Sequence, residues 1–363
     1  MPLQNLYENA RDLLQQLIAV PSYSKYEDGT ADILMEFFSN NGIPAKRLVN
    51  NVWAVNKHFD PAKPTILLNS HHDTVKPNPQ YTKDPFNPII ENERLYGLGS
   101  NDAGGCLVSL IGTFIHFYDY PDLQYNLVIA ATAEEEISGH EGIELLLLNK
   151  HFRSAIHNKE IDCAIVGEPT KMDLAIAEKG LMVLDCITHG KAGHAAREEG
   201  TNAIYKALPD IEWFRTYQFT KVSEWLGPVK MSVTVINTEN KAHNMVPSQC
   251  SFVVDVRITE MYTHEEILET IRQHVTCDVT PRSMRLRSTG ISQDHPLVKA
   301  GLALGKKCYG SPTSSDKALM PFPSLKCGPG ESARSHTADE FIFVHEIQEG
   351  INGYTKMLEQ VIR

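Results

Sequence analysis

TILLNSHHD, residues 65–73, sets a continuous apolar run directly against two histidines and an aspartate. Its apolar part, 65–69, lacks alternation and has turn formers on both sides, the mark of a short strand buried on both faces. The run NLVIAA at 126–131 leads in the same way into Thr132-Ala133-Glu134-Glu135-Glu136. DCAIV at 162–166 leads into Gly167-Glu168-Pro169-Thr170, where Pro169 keeps Glu168 out of the helical region. Buried strands that each end in polar, titratable side chains decide the fold class, because open α/β sheets gather their ligands at the carboxyl ends of strands.

Outward from these strands the pattern alternates. Leu3, Leu6, Leu13, Leu14, Leu17 and Ile18 recur at helical spacing over 3–19, and Pro21 and Ser22 stop that helix. A second helix is expected over 30–41, ending at Gly42, then a strand at 52–56. A loop rich in Pro, Asn and Lys covers 76–88, and Gly104 to Tyr118 reads as a helix with Leu107, Leu110, Ile111 and Phe114 inside. A further helix is expected over 140–148. Strands alternating with helices predict an α/β fold with a mostly parallel central sheet flanked by helices.

The pattern changes near residue 175. Strand 181–188, helix 202–218, strands 229–236 and 250–257 and a helix from Thr263 to about His274 give the order β-α-β-β-α, a small two-layer α+β unit inserted into the larger domain. Pro209 is expected to kink or break the helix 202–218. The α/β pattern resumes after 282 with helix 296–307, strand 324–327 and helix 344–361. The expected division is therefore 1–174 plus 282–363 for the larger domain and 175–281 for the insertion, in keeping with about two domains for 363 residues.

The net charge of −11 argues against nucleic acid or an anionic membrane as partner, since both call for a basic footprint. Seven scattered cysteines with no Cys-x-x-Cys pair read as reduced thiols. The N-terminus has no basic region followed by an apolar run, and no apolar stretch approaches the roughly 18 residues of a membrane span. A cytoplasmic location is the expectation.

Five places carry chemistry. In His71-His72-Asp73, strand alternation sends His71 and Asp73 to one side and His72 to the other. His71 can bind a metal, with Asp73 as its supporting partner. Gly97-Leu98-Gly99-Ser100-Asn101-Asp102-Ala103-Gly104-Gly105 puts Asp102 at a helix start, where a carboxylate also serves as a cap. Glu134, Glu135 and Glu136 repel one another at the end of a buried strand, an arrangement better explained by cations than by a solvated charge run. Glu168 follows the third strand, and Gly328-Pro329-Gly330 with His336 follows the strand at 324–327. Nitrogen and oxygen donors without thiolates suit zinc, with cobalt or manganese tolerated. One His and one carboxylate per ion, plus a shared carboxylate, would fill a paired site.

This ordered set resembles the co-catalytic zinc metallohydrolase family of acetylornithine deacetylase, succinyl-diaminopimelate desuccinylase, aminoacylase and glutamate carboxypeptidase. The resemblance runs nearly the length of the chain. It implies two zinc ions per subunit: His71 binding one, Asp102 bridging both with a cis bond after it, Glu136 and Glu168 each on one ion, and His336 completing the set. The family pattern Thr-x-Asp-Glu-Glu lies on Thr132 to Glu136, which makes Glu135 the general base, with Asp73 in support. The insertion looks like the family's lid and dimerisation domain, marked by Gly190-Lys191-Ala192-Gly193-His194, Asn244-Met245-Val246-Pro247 and Asp255-Val256-Arg257. The resemblance implies that His194, Asn244, Arg257 and Gly328 contact substrate and that the chain forms a homodimer through the inserted domain. Three departures bear on substrate. Glu198 stands where the family has Pro, the loop to Gly200 is one residue shorter than usual, and Thr238-Glu239-Asn240 replaces a Gly-Gly.

The activity implied is hydrolysis of a small N-acyl amino acid. N-acetyl- or N-succinyl-ornithine (or citrulline) in arginine biosynthesis is the first expectation. Succinyl-diaminopimelate comes second, and a dipeptidase or carboxypeptidase activity third. Outside enzymes, the alternative is an inactive relative that only binds a ligand, for which loss of Asp102, Glu135 or Glu136 would be the sign; all three are present.

Overall fold

The structure, a computed structural model, describes residues 3–197, 199–240 and 242–363; Glu198 lies outside them. The chain divides into two compact units. The first comprises Met1–Ile176, Gly290–Tyr309 and Ser315–Arg363, and the second Ala177–Thr289 with Gly310–Ser314.

The first unit is built on a mixed sheet whose strands run in the order Lys46–Leu48, Asn51–Val55, Asn126–Thr132, Thr65–His71, Cys163–Val166, Ser324–Lys326 and Leu174–Glu178. The four strands at its centre are parallel: Thr65–His71 pairs in parallel with Asn126–Thr132 on one side and with Cys163–Val166 on the other, and Ser324–Lys326 continues beside Cys163–Val166. Every residue of Thr65–His71 and of Asn126–Thr132 is buried, as their unbroken apolar runs require. One face carries Leu67, Val128, Ala130, Ala164 and Val166 against Ile143 and Leu146 of helix Ile143–Leu148, Phe152 of helix Lys150–Ala155, and Ile156 just after it. The other face is covered by helix Gly105–Phe117, which packs between Leu3–Ile18 and the closing helix Val344–Ile362. Because the central strands are parallel, their carboxyl ends share one edge, and the register that pairs His71 with Thr132 aligns the two richest strand ends.

The second unit is an antiparallel sheet in the order Lys230–Thr238, Gln249–Ile258, Gly180–His189, Asp278–Pro281. Gly180–His189 alternates strictly between buried and half-exposed residues up to its exposed last residue, which marks a sheet with one covered face. Met182, Leu184, Cys186, Phe252, Val254 and Val256 face helices Ala203–Thr216 and His264–His274 through Phe214, Ile267 and Ile271. Strand Lys230–Thr238 ends the sheet, with Val235 and Ile236 exposed.

Several expectations need correction. Helix Ala203–Thr216 runs on through Pro209. The carbonyl that Pro209 deprives of a partner belongs to Tyr205, which is 71% exposed, so water can replace the lost bond. Strands Leu174–Glu178, Asp278–Pro281 and Cys308–Ser311 are additional to those expected. The segment after the loop 76–88 forms strands Ile89–Glu91 and Arg94–Tyr96, paired with Phe341–Phe343 in a small antiparallel sheet. No helix among the described residues is long and apolar enough to cross a membrane.

Candidate metal centre

His71 is the last residue of its strand and is 1% exposed. Its Nδ1 lies 3.0 Å from the carbonyl oxygen of Asp73. A carbonyl only accepts, so Nδ1 carries a proton and Nε2 is the nitrogen that faces the site and can give its lone pair to an ion. From Nε2, Asp102 Oδ1 is 3.4 Å away, Glu168 Oε1 3.8 Å and Glu135 Oε2 3.9 Å. His336 Nε2 lies 3.0 Å from Glu136 Oε2 and 3.6 Å from the second oxygen of Asp102. Two trios result, His71 with Asp102 and Glu168, and Asp102 with Glu136 and His336, the donor atoms of each within 4.8 Å of one another. Asp102 belongs to both.

These residues fit metal. Donors about 2.1 Å from one tetrahedral ion stand about 3.4 Å apart, and the His71–Asp102 distance of 3.4 Å and the His336–Asp102 distance of 3.6 Å lie close to that value. Asp102 does not cap the helix that follows: it precedes Gly105–Phe117 in a tight non-helical turn, with no side-chain cap bond. Its peptide bond to Ala103 is cis, as the resemblance implied. Four carboxylates, Asp102, Glu135, Glu136 and Glu168, crowd two imidazoles, a charge balance that calls for cations.

The triple glutamate is sorted by backbone geometry. Glu134 adopts φ +57°, turns its buried side chain away and accepts the Glu141 N–H at 3.2 Å. Glu135 and Glu136 open a single helical turn and point into the site. Asp73 stands behind them, accepting the Glu135 N–H at 3.0 Å and the Glu136 N–H at 3.2 Å, while Ser24 donates to it at 2.7 Å. Asp73 therefore orients His71 and both glutamates together.

The charges respond to this crowding. Burial pulls the His71 imidazole down, but the carboxylates of Asp102 and Asp73 outweigh it and hold His71 well above its ordinary value. Glu136 raises His336 to about 9. Burial pushes Glu135 well above the usual carboxylate range, with His71 opposing and Glu168 adding to the rise. Asp102 and Asp73 stay low because His71 overcomes the cost of burial at both.

Sequence reasoning missed two buried acids. Glu340 accepts the N–H groups of Asn101 and Asp102, both at 2.9 Å, and burial together with the Asp102 charge raises it to about 8. Asp316 accepts from Thr132 at 2.6 Å, and burial lifts it to about 6. Asp316 is a lone acid and Glu340 sits beside Asp339, and neither stretch forms a local pattern that points to a site.

The expected substrate residues have other partners. Gly328 is buried, its N–H bonded to Thr170 Oγ1 and its C=O to the Thr170 and Met172 N–H groups. A Cβ there would meet Cys106 Sγ and Glu168 O at 2.7 Å, so packing accounts for the glycine and no backbone group is left over for substrate. Arg257 forks onto Asp255 at 2.8 and 3.0 Å, so the carboxylate it was expected to bind must displace or share that pair. His194 is exposed and accepts the Ala196 N–H at 3.2 Å; Asn244 is exposed and its carbonyl accepts from Ala195. These three belong to the second unit, the metal-competent residues and Gly328 to the first.

His72 points away from the metal-competent cluster, as alternation requires. Its Nε2 donates to Asn50 O at 2.8 Å, and its Nδ1 lies 2.9 Å from Thr30 Oγ1. Burial holds it at about 4, below the ordinary 6.5. The unfolded chain takes up this proton near 6.5 and the folded chain only near 4, so a stability contribution of about 3 kcal/mol is lost as pH falls through that window. Asp316 works in the opposite sense. Its folded value of about 6 lies above the ordinary 3.8, so folding loses stability as pH rises between them. The two slopes nearly offset in the native chain. In metal-free His72→Gln, denaturant unfolding should therefore show stability falling by about 2 kcal/mol relative to the native chain as pH rises from 4 to 6. Parallel curves for the two proteins would remove this account of His72.

The family model for peptidase family M20/M25/M40 matches residues 67–360. Among curated relatives, a succinyl-diaminopimelate desuccinylase of Stenotrophomonas maltophilia (strain R551-3) is 24% identical, covering 97% of this chain and 98% of the relative. One of Nitrosospira multiformis is 26% identical over 70% of this chain and 69% of its own length. Aminopeptidase PepT of Bacillus cereus superposes with a TM-score of 0.75 at 17% identity, covering 98% of both chains. The YXEP protein of Bacillus subtilis, described as a dinuclear metal-binding peptidase, superposes at 0.72 with 15% identity over 98% of both chains.

Proposed function

The chain belongs to peptidase family M20/M25/M40 and is a metal-dependent hydrolase, and from that premise we propose that it cuts the amide bond of a small N-acyl amino acid with two zinc ions. The observation that carries the reading is the pair of trios sharing Asp102, with Glu135 beside them and in neither. His71, Asp102 and Glu168 would hold one ion, and Asp102, Glu136 and His336 the other. When bound, the ions supply Lewis acidity toward the amide carbonyl and lower the pKa of water.

The remaining chemistry falls to Glu135. It accepts a proton from water as the new C–O bond forms, and returns that proton to the amide nitrogen as the C–N bond breaks. In the metal-free chain burial raises its proton affinity, and the positive charge of His71 opposes that rise. Asp73 fixes the base through the Glu135 N–H.

For substrate, the relatives' names favour N-succinyl-diaminopimelate over the N-acylornithine first expected from the resemblance. The test is turnover of N-succinyl-diaminopimelate, N-acetylornithine, N-succinylornithine and N-acetylcitrulline by zinc-loaded chain, with a chelated control. Chelator-sensitive release of free amine from the first supports the desuccinylase reading; from one of the others, the arginine branch. No release from any would turn the search to dipeptides.

A further inference from the structure

Three consecutive N–H groups, those of Glu134, Glu135 and Glu136, end on buried carboxylates. Asp73 takes two of them, and Glu27 takes the Glu134 N–H at 3.2 Å from 107 residues away in sequence. Glu27 is fully buried and both its carboxylate oxygens are engaged. Oε1 also accepts the Lys25 N–H at 2.7 Å, and Oε2 accepts from the Asn50 side-chain amide at 2.8 Å. Asn50 is braced in turn: its side-chain oxygen accepts from Arg47 at 2.6 Å, and its carbonyl from His72. The same loop that carries Glu27 supplies Ser24 to Asp73, and its Ser22 carbonyl accepts the Thr74 N–H. One loop thus braces both ends of the metal-competent segment, the His71–Asp73 end and the glutamate turn.

Geometry explains why a charged acceptor sits there. Glu134 is held at φ +57°, sparsely populated for a residue with a Cβ, and the turn needs that conformation to send Glu134 one way and Glu135 and Glu136 the other. A buried N–H left without an acceptor would favour release of the turn. A carboxylate anchored on three sides gives the N–H a fixed, charge-assisted partner.

We propose that Glu27 is a positioning residue that holds the Glu134–Glu136 turn so that Glu135 and Glu136 face the metal ions. The proposal rests on the roles given above to Glu135 and Glu136, so its test includes readouts that need no substrate. In the full-length chain, Glu27→Ala should speed amide hydrogen exchange at Glu134–Glu136 at least about tenfold, with the Thr65–His71 strand unchanged. Titration of the chelated chain with Zn2+ should show the weaker of two sites losing about tenfold in affinity, the scale of outer-partner changes at metal sites. For whichever substrate the native chain turns over, kcat should fall about tenfold with KM within twofold.

A second pair of variants covers the case in which Glu27→Ala does not fold. Glu27→Gln sets an amide donor against the Asn50 donor or the Glu134 N–H and should loosen the turn. Adding Asn50→Asp restores donor to acceptor, keeps the Arg47 contact and should bring exchange and Zn2+ affinity back toward the native values. Exchange and Zn2+ affinity within twofold of native in folded Glu27→Ala would overturn the proposal. So would acceleration spread evenly over the whole sheet, or no recovery in the double variant. If the native chain turns over nothing, the substrate reading fails while exchange and Zn2+ binding still decide the role of Glu27.

Discussion

Glu135→Gln should lose about 10³-fold in kcat, within the 10²–10⁴-fold range of a general base, while retaining two metal ions per chain. The two halves of this expectation come from separate observations. Glu135 Oε2 stands 3.9 Å from His71 Nε2 yet belongs to neither trio, so its loss costs no ligand. Burial raises its proton affinity well above that of an ordinary carboxylate, and only His71 among its leading influences opposes that rise. The glutamine keeps the shape and removes the proton acceptor, and the backbone N–H still reaches Asp73. Steady-state rates alongside metal analysis check both halves. Loss of an ion with the activity would make Glu135 a ligand and move the base elsewhere.

Asp102→Ala should have the larger structural consequence, because one carboxylate serves both trios. Removing it takes Oδ1 from beside His71 and Oδ2 from beside His336 at once. Both ions should weaken by more than the 10–100-fold typical of outer partners, and turnover should fall below detection at ordinary metal concentrations. Asp102→Asn keeps the volume and the N–H bond to Glu340. It should show the same loss of metal with native unfolding behaviour, separating the charge from the fold. Two ions retained at native affinity in either variant would mean that Asp102 does not bridge.

The parallel core was legible because Thr65–His71 and Asn126–Thr132 are buried along their whole length, which leaves no room for polar alternation. The metal-competent residues were legible for a related reason. Parallel strands bring their carboxyl ends to one edge, so His71, Glu136 and Glu168, with Glu135 beside them, converge although up to 97 residues separate them. Leu174–Glu178 escaped because it lies where the pattern changes, close before the longer strand Gly180–His189. Glu27 and Glu340 escaped because their partners are backbone N–H groups 107 and 238 residues away, and an N–H leaves no signature in sequence. Gly328 is ambiguous in sequence because a glycine needed for close packing looks like one needed for ligand approach.

The most direct test of the account is metal content measured together with amidase activity on the same preparation. The expected result is two zinc ions per chain, amide hydrolysis abolished by chelation and restored by Zn2+, and a Glu135→Gln chain that keeps both ions without turnover. Full activity in chelated, metal-free protein would contradict the account.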